Sequence, residues 1–455
     1  MKLSIVTTPN RLGFAQGSVW DWYRDYVLKG CDYEIVDGSK PHTISGDRVV
    51  LSGAVPMRLL SPDLNIFQSR GTIYQYRNKP AVVTFDLQEA YDFKSSTEDK
   101  GKEDPFSKDR AKTQHSNWLF WIRADTAKIL RPILGTPSVP KVLIRPNLTA
   151  YTKHLLGTKD KVVYLDIETD IQSDTLDCIG LYIEGDNNVV VVPIYNPNGT
   201  LAYDHLSTLK YLAALSYVLR HNKCVIHNAM FDLLYLASHY RVTFGADIFD
   251  TMVVQKRCYP EVEKSLGHAI SLWTDQPYHK DEHAANRSRE SAERLFHYNA
   301  KDIWSMRLVY KAQLAHISKD KGLTDSAAQA NASVYPYLLS CLKGLRVDVS
   351  KWAGLKIAKD RRIVQIRRII HLLIGDAKFN PDSPAQLVKY FHTKLGYKVV
   401  AHTNTGAPSL GATALYDLAL KYPNPLIQVI IYYRHLVKAR SNLNFNNLIY
   451  PWQSL

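Results

Sequence analysis

The segment VVYLDIE at 162–168 constrains the fold of this chain more than any other. It is apolar up to its two acids, which is typical of a central strand in a sheet. Two more β-rich runs follow at 178–184 and 189–195, separated by turn residues, and predict a meander of strands. A period of roughly 3.6 residues over 205–220 predicts a helix, and the run at 224–228 returns to a strand. The sequence therefore predicts an α/β domain in this part of the chain.

The segments on either side of this domain have different patterns. A strand at Leu3–Val6, an aromatic helix around Trp20–Val27 and a strand at 49–54 predict a second α/β domain. The polar, charge-mixed stretch 94–112 cannot bury apolar area and is predicted to be a surface loop or a disordered insertion. Repeated prolines then favour extended chain, and the C-terminal pattern is almost entirely helical. We therefore expect an N-terminal α/β domain at 1–135, a linker at 136–158, the central α/β domain at 159–325 and a helical region at 326–455.

The composition limits the class of protein and of partner. Of 455 residues, 45% are hydrophobic and 22% are charged, so neither a disordered chain nor a fibrous rod fits. The 57 Lys and Arg against 43 Asp and Glu give a net charge of +14, which favours a polyanionic partner such as nucleic acid. Five widely spaced cysteines include no CxxC pair, which favours a reducing compartment over a disulfide framework or a zinc knuckle. We find neither a signal peptide nor the roughly 18–20 apolar residues of a membrane span, and expect a cytoplasmic protein with no membrane partner.

Asp166 and Glu168 lie two residues apart on the predicted central strand. Because side chains alternate along a strand, both carboxylates project from one face and can share a metal ion. Acids at the carboxyl end of such a strand also lie where open α/β sheets bind ligands. Two solvated acids at a strand end are the alternative explanation.

Two further pairs have the spacing of about one helical turn. Asn228 and Asp232 lie four apart at a predicted strand-to-helix turn, where an Asn cap followed by an acid in the first turn is the alternative explanation. Tyr298 and Asp302 lie four apart on one face of a predicted helix, where a surface pair is the alternative. Neither pair identifies a site by itself.

Together the three pairs form an ordered pattern of D-x-E, N-x-x-F-D and Y-x-x-x-D. Four acids brought together would repel one another unless divalent cations neutralised them, and their hard oxygen ligands suit Mg²⁺ or Mn²⁺. Such an arrangement predicts a two-metal site for phosphoryl transfer. The tyrosine hydroxyl would orient the attacking nucleophile without adding charge.

The motifs DIE at 166–168, NAMFD at 228–232 and YNAKD at 298–302 resemble those of the DEDDy 3′-5′ exonucleases, in particular the proofreading domain of family A DNA polymerases. The DTM at 250–252 resembles the stretch that links the second and third motifs in such domains. The resemblance implies an RNase H-like fold and two bound Mg²⁺ or Mn²⁺ ions. It also implies metal carboxylates at Asp166, Glu168, Asp232 and Asp302, a water-positioning hydroxyl at Tyr298, and substrate contacts at Thr169, Asn228 and Phe231.

The helical region extends the resemblance to the thumb, the element that grips duplex DNA in the same polymerases. The segments 338–350, 379–391, 403–409 and 432–440 carry it. Two helix N-caps and the residue closing a capping box are predicted there, at Asp348, Ser383 and Gln386. Eight cations of this region are expected to contact the DNA backbone, with a solvated helix face as the alternative. They are Lys356, Lys359, Arg361, Arg362, Arg367, Arg368, Arg434 and Lys438.

Other parts of the chain depart from the polymerase pattern. We find no acidic strand or H-D-E turn of a polymerase palm, so the chain is not expected to add nucleotides by itself. Residues 69–91 and 116–130 resemble the C-terminal part of uracil-DNA glycosylase-like domains. Asp86 and Leu87 stand where the catalytic His and Pro of those domains would be, so we expect a degenerate glycosylase-like domain at the N-terminus.

The leading hypothesis is a proofreading 3′-5′ exodeoxyribonuclease, the exonuclease and thumb half of a split family A polymerase used in DNA replication. It implies a single-stranded 3′ end in the exonuclease site, duplex DNA at the thumb, and a separate polypeptide with the palm and fingers. An RNase D-like exoribonuclease, which shares the same set of acids, is one alternative. A non-catalytic DNA-binding subunit that assembles with a polymerase is the other.

Overall fold

The computed structural model describes residues 1–7, 19–38, 43–62, 65–87, 105–132, 141–170, 174–196, 198–276, 289–402 and 407–443. The chain divides into two compact units, Met1–Lys343 and Gly344–Leu455. The first unit holds two β-sheets with their helices, and the described part of the second is helical. The predicted α/β architecture with a helical C-terminal region is thereby confirmed.

Five strands near the N-terminus form the first sheet, in the order β2-β1-β3-β5-β4. They are β1 (Lys2–Thr7), β2 (Asp32–Asp37), β3 (Arg48–Ser52), β4 (Ile73–Tyr76) and β5 (Lys79–Thr84). Neighbouring strands are parallel except for the β4–β5 hairpin. Its turn residues Arg77 and Asn78 have positive φ angles of 50° and 62°, as a tight two-residue hairpin turn requires.

The helices of this part confirm one prediction and correct another. They are α1 (Val19–Trp22), which continues as a π-helical turn (Tyr23–Val27), α2 (Ala54–Met57), α3 (Ile66–Ser69) and α4 (Pro105–Leu130). The aromatic helix around Trp20–Val27 is confirmed, as are the strands predicted at Leu3–Val6 and 49–54. The loop predicted at 94–112 is wrong from Pro105 onward, because Trp121, Ile122 and other apolar residues of α4 anchor this helix in the core. The remaining residues, 94–104, lie outside the described part.

Asp86 and Leu87 follow β5 and are both buried. Gly53, with a φ of 98°, lies so close that a Cβ there would come within 2.7 Å of Asp86 Oδ2. The position can hold only a glycine for both reasons. The resemblance of this region to a degenerate glycosylase-like domain stays a prediction.

Six strands form the second sheet, in the order β11-β10-β7-β8-β9-β6. They are β6 (Lys141–Ile144), β7 (Val162–Asp170), β8 (Thr175–Ile183), β9 (Asn188–Pro193), β10 (Lys223–Ile226) and β11 (Ile248–Asp250). The antiparallel run β7-β8-β9 confirms the predicted meander. Strands β10 and β11 continue in parallel with β7, and β6 pairs in parallel with β9.

Helices cover both faces of this sheet and produce two cores. They are α5 (Leu148–Leu156), α6 (His205–His221), α7 (Ala229–Tyr240), α8 (Thr251–Cys258), α9 (Leu266–Trp273), α10 (Arg289–Ile317), α11 (Lys321–Ala332) and α12 (Val334–Lys343). Val163 and Leu165 of β7 pack in the core beside α6 and α7, whereas Tyr164 packs in the core beside α10. Because side chains alternate along a strand, Asp166 and Glu168 continue the Tyr164 series and face α10.

The predicted linker at 136–158 is wrong, because β6 and α5 lie within it. Strand β6 extends the second sheet, and α5 begins at Asn147, whose side chain caps it by accepting from the Ala150 N–H. Leu148 and Leu155 of α5 are buried in the same core as β7. The prolines that indicated a linker, Pro137, Pro140 and Pro146, flank β6 rather than interrupt it.

The predicted domain boundary at 325–326 falls within α11. Ala327 of α11 and Val334 and Leu338 of α12 are buried in the two cores around the second sheet. The first compact unit therefore extends to Lys343. Sequence periodicity alone could not separate these two helices from the helices of the second unit, since all are amphipathic in the same way.

The second unit packs its helices around one core of its own. The helices are α13 (Val349–Ile374), α14 (Pro384–Val388), which continues as a π-helical turn (Lys389–Lys394), α15 (Ala412–Lys421) and α16 (Pro425–Ser441). Ile370, Leu387 and Ile430, from three different helices, are completely buried in this core. Among the helices of the described residues, none is long and apolar enough to cross a membrane.

The helix caps predicted in this unit are confirmed, but the capping box is not. Asp348 and Ser383 cap α13 and α14 by accepting from the backbone N–H groups of Lys351 and Gln386. The Gln386 side chain accepts from the Asn380 N–H at 2.7 Å instead of from Ser383. The Ser383 N–H donates to the Asn380 carbonyl at 3.1 Å, so a preceding turn satisfies the group that the box would have used.

Candidate active site

Strand β7 carries the first pair of acids near its carboxyl end. In the antiparallel register, Asp166 lies opposite Gly180 and Glu168 lies opposite Cys178 on β8. The register shifts between Glu168 and Thr169, and such a bulge bends a strand and re-aims its side chains. Both acids are partly exposed, whereas residues 163–165 before them are buried. The strand therefore holds two accessible carboxylates on one face.

Helix α10 adds a third carboxylate to this face. Asp302 is buried, and one oxygen from each of Asp166, Glu168 and Asp302 lies within 4.8 Å of the other two. This is the one group of acids, histidines or cysteines with metal-binding spacing that the described residues contain. The structure thus brings together three of the four acids predicted to bind metal.

Asp232 lies next to this group without being part of it. It sits in the first turn of α7 and is buried, and its Oδ1 accepts from the Ile167 N–H at 3.0 Å. Burial raises the pKa of its carboxyl well above the usual range, and the negative charge of Asp166 raises it further. The Ile167 N–H opposes this shift but does not overcome it. The fourth acid is therefore tied to the backbone of β7, one residue after Asp166.

The donor set fits divalent cations with hard character. Three carboxylates supply only oxygen ligands, which Mg²⁺ and Mn²⁺ prefer. Carboxylate oxygens that lie within 4.8 Å of one another could hold such a cation.

Tyr298 presents a neutral hydroxyl beside the acids. It precedes Asp302 by one turn of α10, and 6% of its surface is exposed. Burial raises the pKa of this phenol far above the usual range, and the charges of Asp302, Glu168 and Asp166 raise it further, together with a hydrogen bond to Asp302. The hydroxyl therefore stays protonated at physiological pH and is a donor.

Asp250, which the sequence placed only in a linking stretch, positions the turn that leads to Asp232. It is completely buried, and its carboxylate accepts from the backbone N–H groups of Asn228 at 3.1 Å and Ala229 at 2.8 Å. The same carboxylate caps α8, and its own N–H donates to Asn331 Oδ1 at 2.8 Å. It therefore fixes the turn that starts α7 and sets the position of Asp232. A buried acid directly after a short apolar run was the available signal.

The three predicted substrate contacts lie next to the acids in sequence, in three different settings. Thr169 follows the bulge in β7, and Asn228 begins α7 in the left-handed region, with a φ of 69°, without capping the helix through its side chain. Phe231 is 47% exposed and its ring lies 6.2 Å from that of Tyr235. An aromatic ring this exposed can stack on a nucleic-acid base.

The eight cations predicted to contact DNA fall into two groups. Arg367 donates to the Tyr433 hydroxyl at 2.6 Å and to Asp382 at 3.3 Å, and Arg434 donates to the Leu410 carbonyl at 2.6 Å. Both guanidinium groups are held by partners within the second unit, although 45% of the Arg367 side chain is exposed. The other six are exposed or half-exposed: Lys356, Lys359, Arg361, Arg362, Arg368 and Lys438.

Two comparisons with known proteins bear on this part of the chain. A family model described as 3′-5′ exonuclease, of the type found in family A DNA polymerases, matches residues 146–314. Among solved structures, the polymerase domain of Pol1 from M. smegmatis, in complex with DNA primer-template and dNTP, is similar at 15% sequence identity with a TM-score of 0.45. That similarity covers 67% of this chain and 49% of the Pol1 chain, so the chain spans about half the length of that structure. Residues 146–314, which contain all the acids of the site, thus match the 3′-5′ exonuclease domain of family A polymerases, whose fold is RNase H-like.

Proposed function

We propose that this chain is a metal-dependent 3′-5′ exonuclease that removes nucleotides from the 3′ ends of DNA. The observation that carries the proposal is the meeting of Asp166, Glu168 and Asp302 inside the segment that matches the exonuclease family. Asp166 lies on a strand, and Asp302 lies on a helix 136 residues later in the chain (302 − 166). A chance cluster of surface charges would not include a buried acid such as Asp302.

Two divalent cations, Mg²⁺ or Mn²⁺, complete the proposed site. Asp166, Glu168 and Asp302 would hold them, with Asp232 as a fourth ligand after its carboxyl has lost its proton. When bound, such ions lower the pKa of an attacking water and stabilise the negative charge of a phosphodiester during displacement. The four acids would otherwise repel one another, so the site and the cations stabilise each other.

The chain's own side chains provide orientation. The Tyr298 hydroxyl, protonated and hydrogen-bonded to Asp302, would orient the attacking water without adding charge. The exposed ring of Phe231 would stack on the terminal base of a single strand, which requires an unpaired 3′ end. The exposed cations of α13 and α16 would contact the phosphates of duplex DNA by charge alone.

The proofreading role and a separate polymerase polypeptide are the finer parts of the proposal. They are supported by the polymerase type of the matching family model. Excision from a primer-template should then be faster when the primer ends in a mismatch, because a frayed end costs less to unpair. Equal rates on matched and mismatched ends would contradict a proofreading role. Co-purification from the native source would identify the polypeptide that carries the palm and fingers.

The decisive experiment compares single-stranded DNA and RNA of equal sequence, labelled at the 5′ end, in the presence of Mg²⁺. We expect a ladder that shortens from the 3′ end of DNA, and no ladder with Asp166→Ala. Asp186→Ala is the matched control, since Asp186 follows β8 at the end of the sheet away from the site and pairs with His154. Undiminished degradation by Asp166→Ala would refute the proposed active site. A preference for RNA would refute DNA as the substrate.

A further inference from the structure

The side chain of Asn299 contacts Asp166, the first of the proposed metal ligands. Asn299 follows Tyr298 on α10 and is completely buried. Its Nδ2 donates to Asp166 Oδ2 at 2.7 Å and to the Asp166 carbonyl oxygen at 3.3 Å. One amide thus holds both the side chain and the backbone of the same residue.

A glycine on the neighbouring strand makes room for this contact. Gly180 pairs with Asp166 across β7 and β8. A Cβ at Gly180 would overlap Oδ1 of Asn299 and Cδ1 of Ile303. The φ angle of Gly180 is not in the left-handed region, so its backbone conformation does not require glycine. The space that Asn299 occupies is what excludes a side chain there.

The other end of the Asn299 amide indicates that the contact is not made for stability alone. Its Oδ1 is buried and has no hydrogen-bond partner among the residues that the structure describes. An unpaired buried acceptor costs free energy, and native proteins keep such groups rarely. A rotation of the amide by half a turn would place Oδ1 against the Asp166 carboxylate, where two acceptors repel. The donor end therefore faces Asp166 by electrostatic necessity.

We propose that Asn299 is a positioning residue that fixes the Asp166 carboxylate for cation binding. This inference rests on the proposed exonuclease function. The charges of Glu168 and Asp302 repel the Asp166 carboxylate, and the Asn299 amide opposes its rotation away from them. A lysine or arginine in its place would neutralise the carboxylate and compete with the cations, whereas an amide donates a hydrogen bond without a charge. Partners of this kind orient metal ligands in other sites.

The test is Asn299→Leu, which keeps the volume of the side chain and removes the donor. Mn²⁺ binding to the full chain without DNA, measured by calorimetry, should weaken about 10- to 100-fold, as is typical when a residue that orients a metal ligand is lost. Exonuclease activity should show a raised Mn²⁺ requirement and a nearly unchanged maximal rate at saturating Mn²⁺. If Asn299 had a purely structural role, the variant would lose thermal stability, and its Mn²⁺ requirement would not rise while the maximal rate stayed the same.

Gly180→Ala is the second variant, because its methyl group would displace Asn299 while leaving the amide in the sequence. It should weaken Mn²⁺ binding to a similar extent, and combining it with Asn299→Leu should add little, since both remove the same hydrogen bond. Asn299→Ala replaces Asn299→Leu if the larger side chain prevents folding. Wild-type Mn²⁺ affinity in folded Asn299 variants would overturn this inference alone. A wild-type chain that binds no Mn²⁺ would overturn the proposed function as well.

Discussion

Tyr298 illustrates how a single buried hydroxyl can act beside several carboxylates. Its raised pKa keeps the proton in place, and its neighbour Asp302 receives the hydrogen bond. Tyr298→Phe removes that hydroxyl and little else. A hydrogen bond to a charged group contributes about 1.5–3 kcal/mol, so we expect the maximal excision rate to fall by about ten- to a hundredfold. Single-turnover excision gives the rate, and calorimetric titration with Mn²⁺ should give an unchanged affinity. A loss of Mn²⁺ affinity would show that Tyr298 supports the ligands rather than the water.

Lys128 is a buried cation that joins the first sheet to the exonuclease domain. Its Nζ donates to the carbonyl oxygens of Gly71 and Ser271, each at 2.6 Å. Burial lowers the pKa of this ammonium to about 7, although Asp125 and Asp275 oppose the shift. An unfolded lysine has a pKa of about 10.4. Between these two values the unfolded chain binds more protons than the folded chain, so the free energy of unfolding rises with pH.

Lys128→Met should remove this pH dependence. The group contributes about 1 kcal/mol per pH unit between about pH 7 and 10, and a neutral methionine contributes none. Urea unfolding of both proteins across this window measures the slopes. Arg123→Gln is the control, because Arg123 is exposed on the same helix and should leave the slope unchanged. Parallel slopes for the wild type and Lys128→Met would contradict the shifted pKa.

At the scale of elements, the alternation of apolar and acidic residues in β7 was enough to predict a central strand with two acids on one face. The meander that follows was predictable for the same reason, since each strand carries its own period and turn residues. The N-caps at Asp348 and Ser383 depend on residues within one helical turn and were also predictable.

Other features depend on contacts between distant residues, and local pattern could not predict them. Strand β6 is a strand because β9 pairs with it, and its flanking prolines are equally compatible with a linker. The Asp250 carboxylate accepts from the Asn228 N–H at the start of α7. The Asp250 N–H donates to Asn331, which lies on a helix 81 residues later in the chain. The contact of Asn299 with Asp166 spans 133 residues and needs a glycine on a third element. Such tertiary contacts leave no period in the sequence.

Helix α13 presents exposed arginines whose expected role is phosphate contact. Arg361, Arg362 and Arg368 are exposed on this helix. Replacing all three with Gln should weaken duplex DNA binding and reduce the slope of log affinity against log salt by about three, because each phosphate contact contributes about one. Fluorescence anisotropy with labelled duplex between about 0.05 and 0.2 M salt measures this slope.

Arg367→Gln serves as the matched control on the same helix. Its guanidinium is committed to Tyr433 and Asp382, so the change should lower thermal stability slightly and leave the salt slope close to that of the wild type. A triple variant with the wild-type slope would mean that the helix face is only solvated. If Arg367→Gln reduced the slope by as much as each arginine of the triple variant does, the number of positive charges rather than their position would decide DNA binding.

At the scale of the whole molecule, the two compact units have separate hydrophobic cores. Among the described residues, the buried members of the second unit's core lie within 366–433, and those of the cores around the two sheets lie within 3–338. A cooperative unfolding unit is defined by the core that it buries. We therefore expect calorimetry of the full chain to show two transitions, with exonuclease activity lost in the transition that belongs to Met1–Lys343.

A Leu→Ala substitution in each core shows which compact unit unfolds in which transition. Leu165 in the core beside α6 and Leu387 in the core of the second unit are both completely buried, and Leu→Ala at such sites costs about 2–5 kcal/mol. Leu165→Ala should lower the transition in which nuclease activity disappears and leave the other in place. Leu387→Ala should do the reverse, and its activity on single-stranded DNA should persist to the same temperature as in the wild type. If either substitution moved both transitions together, the two cores would unfold as one unit, and the nuclease would depend on the helical unit for its stability.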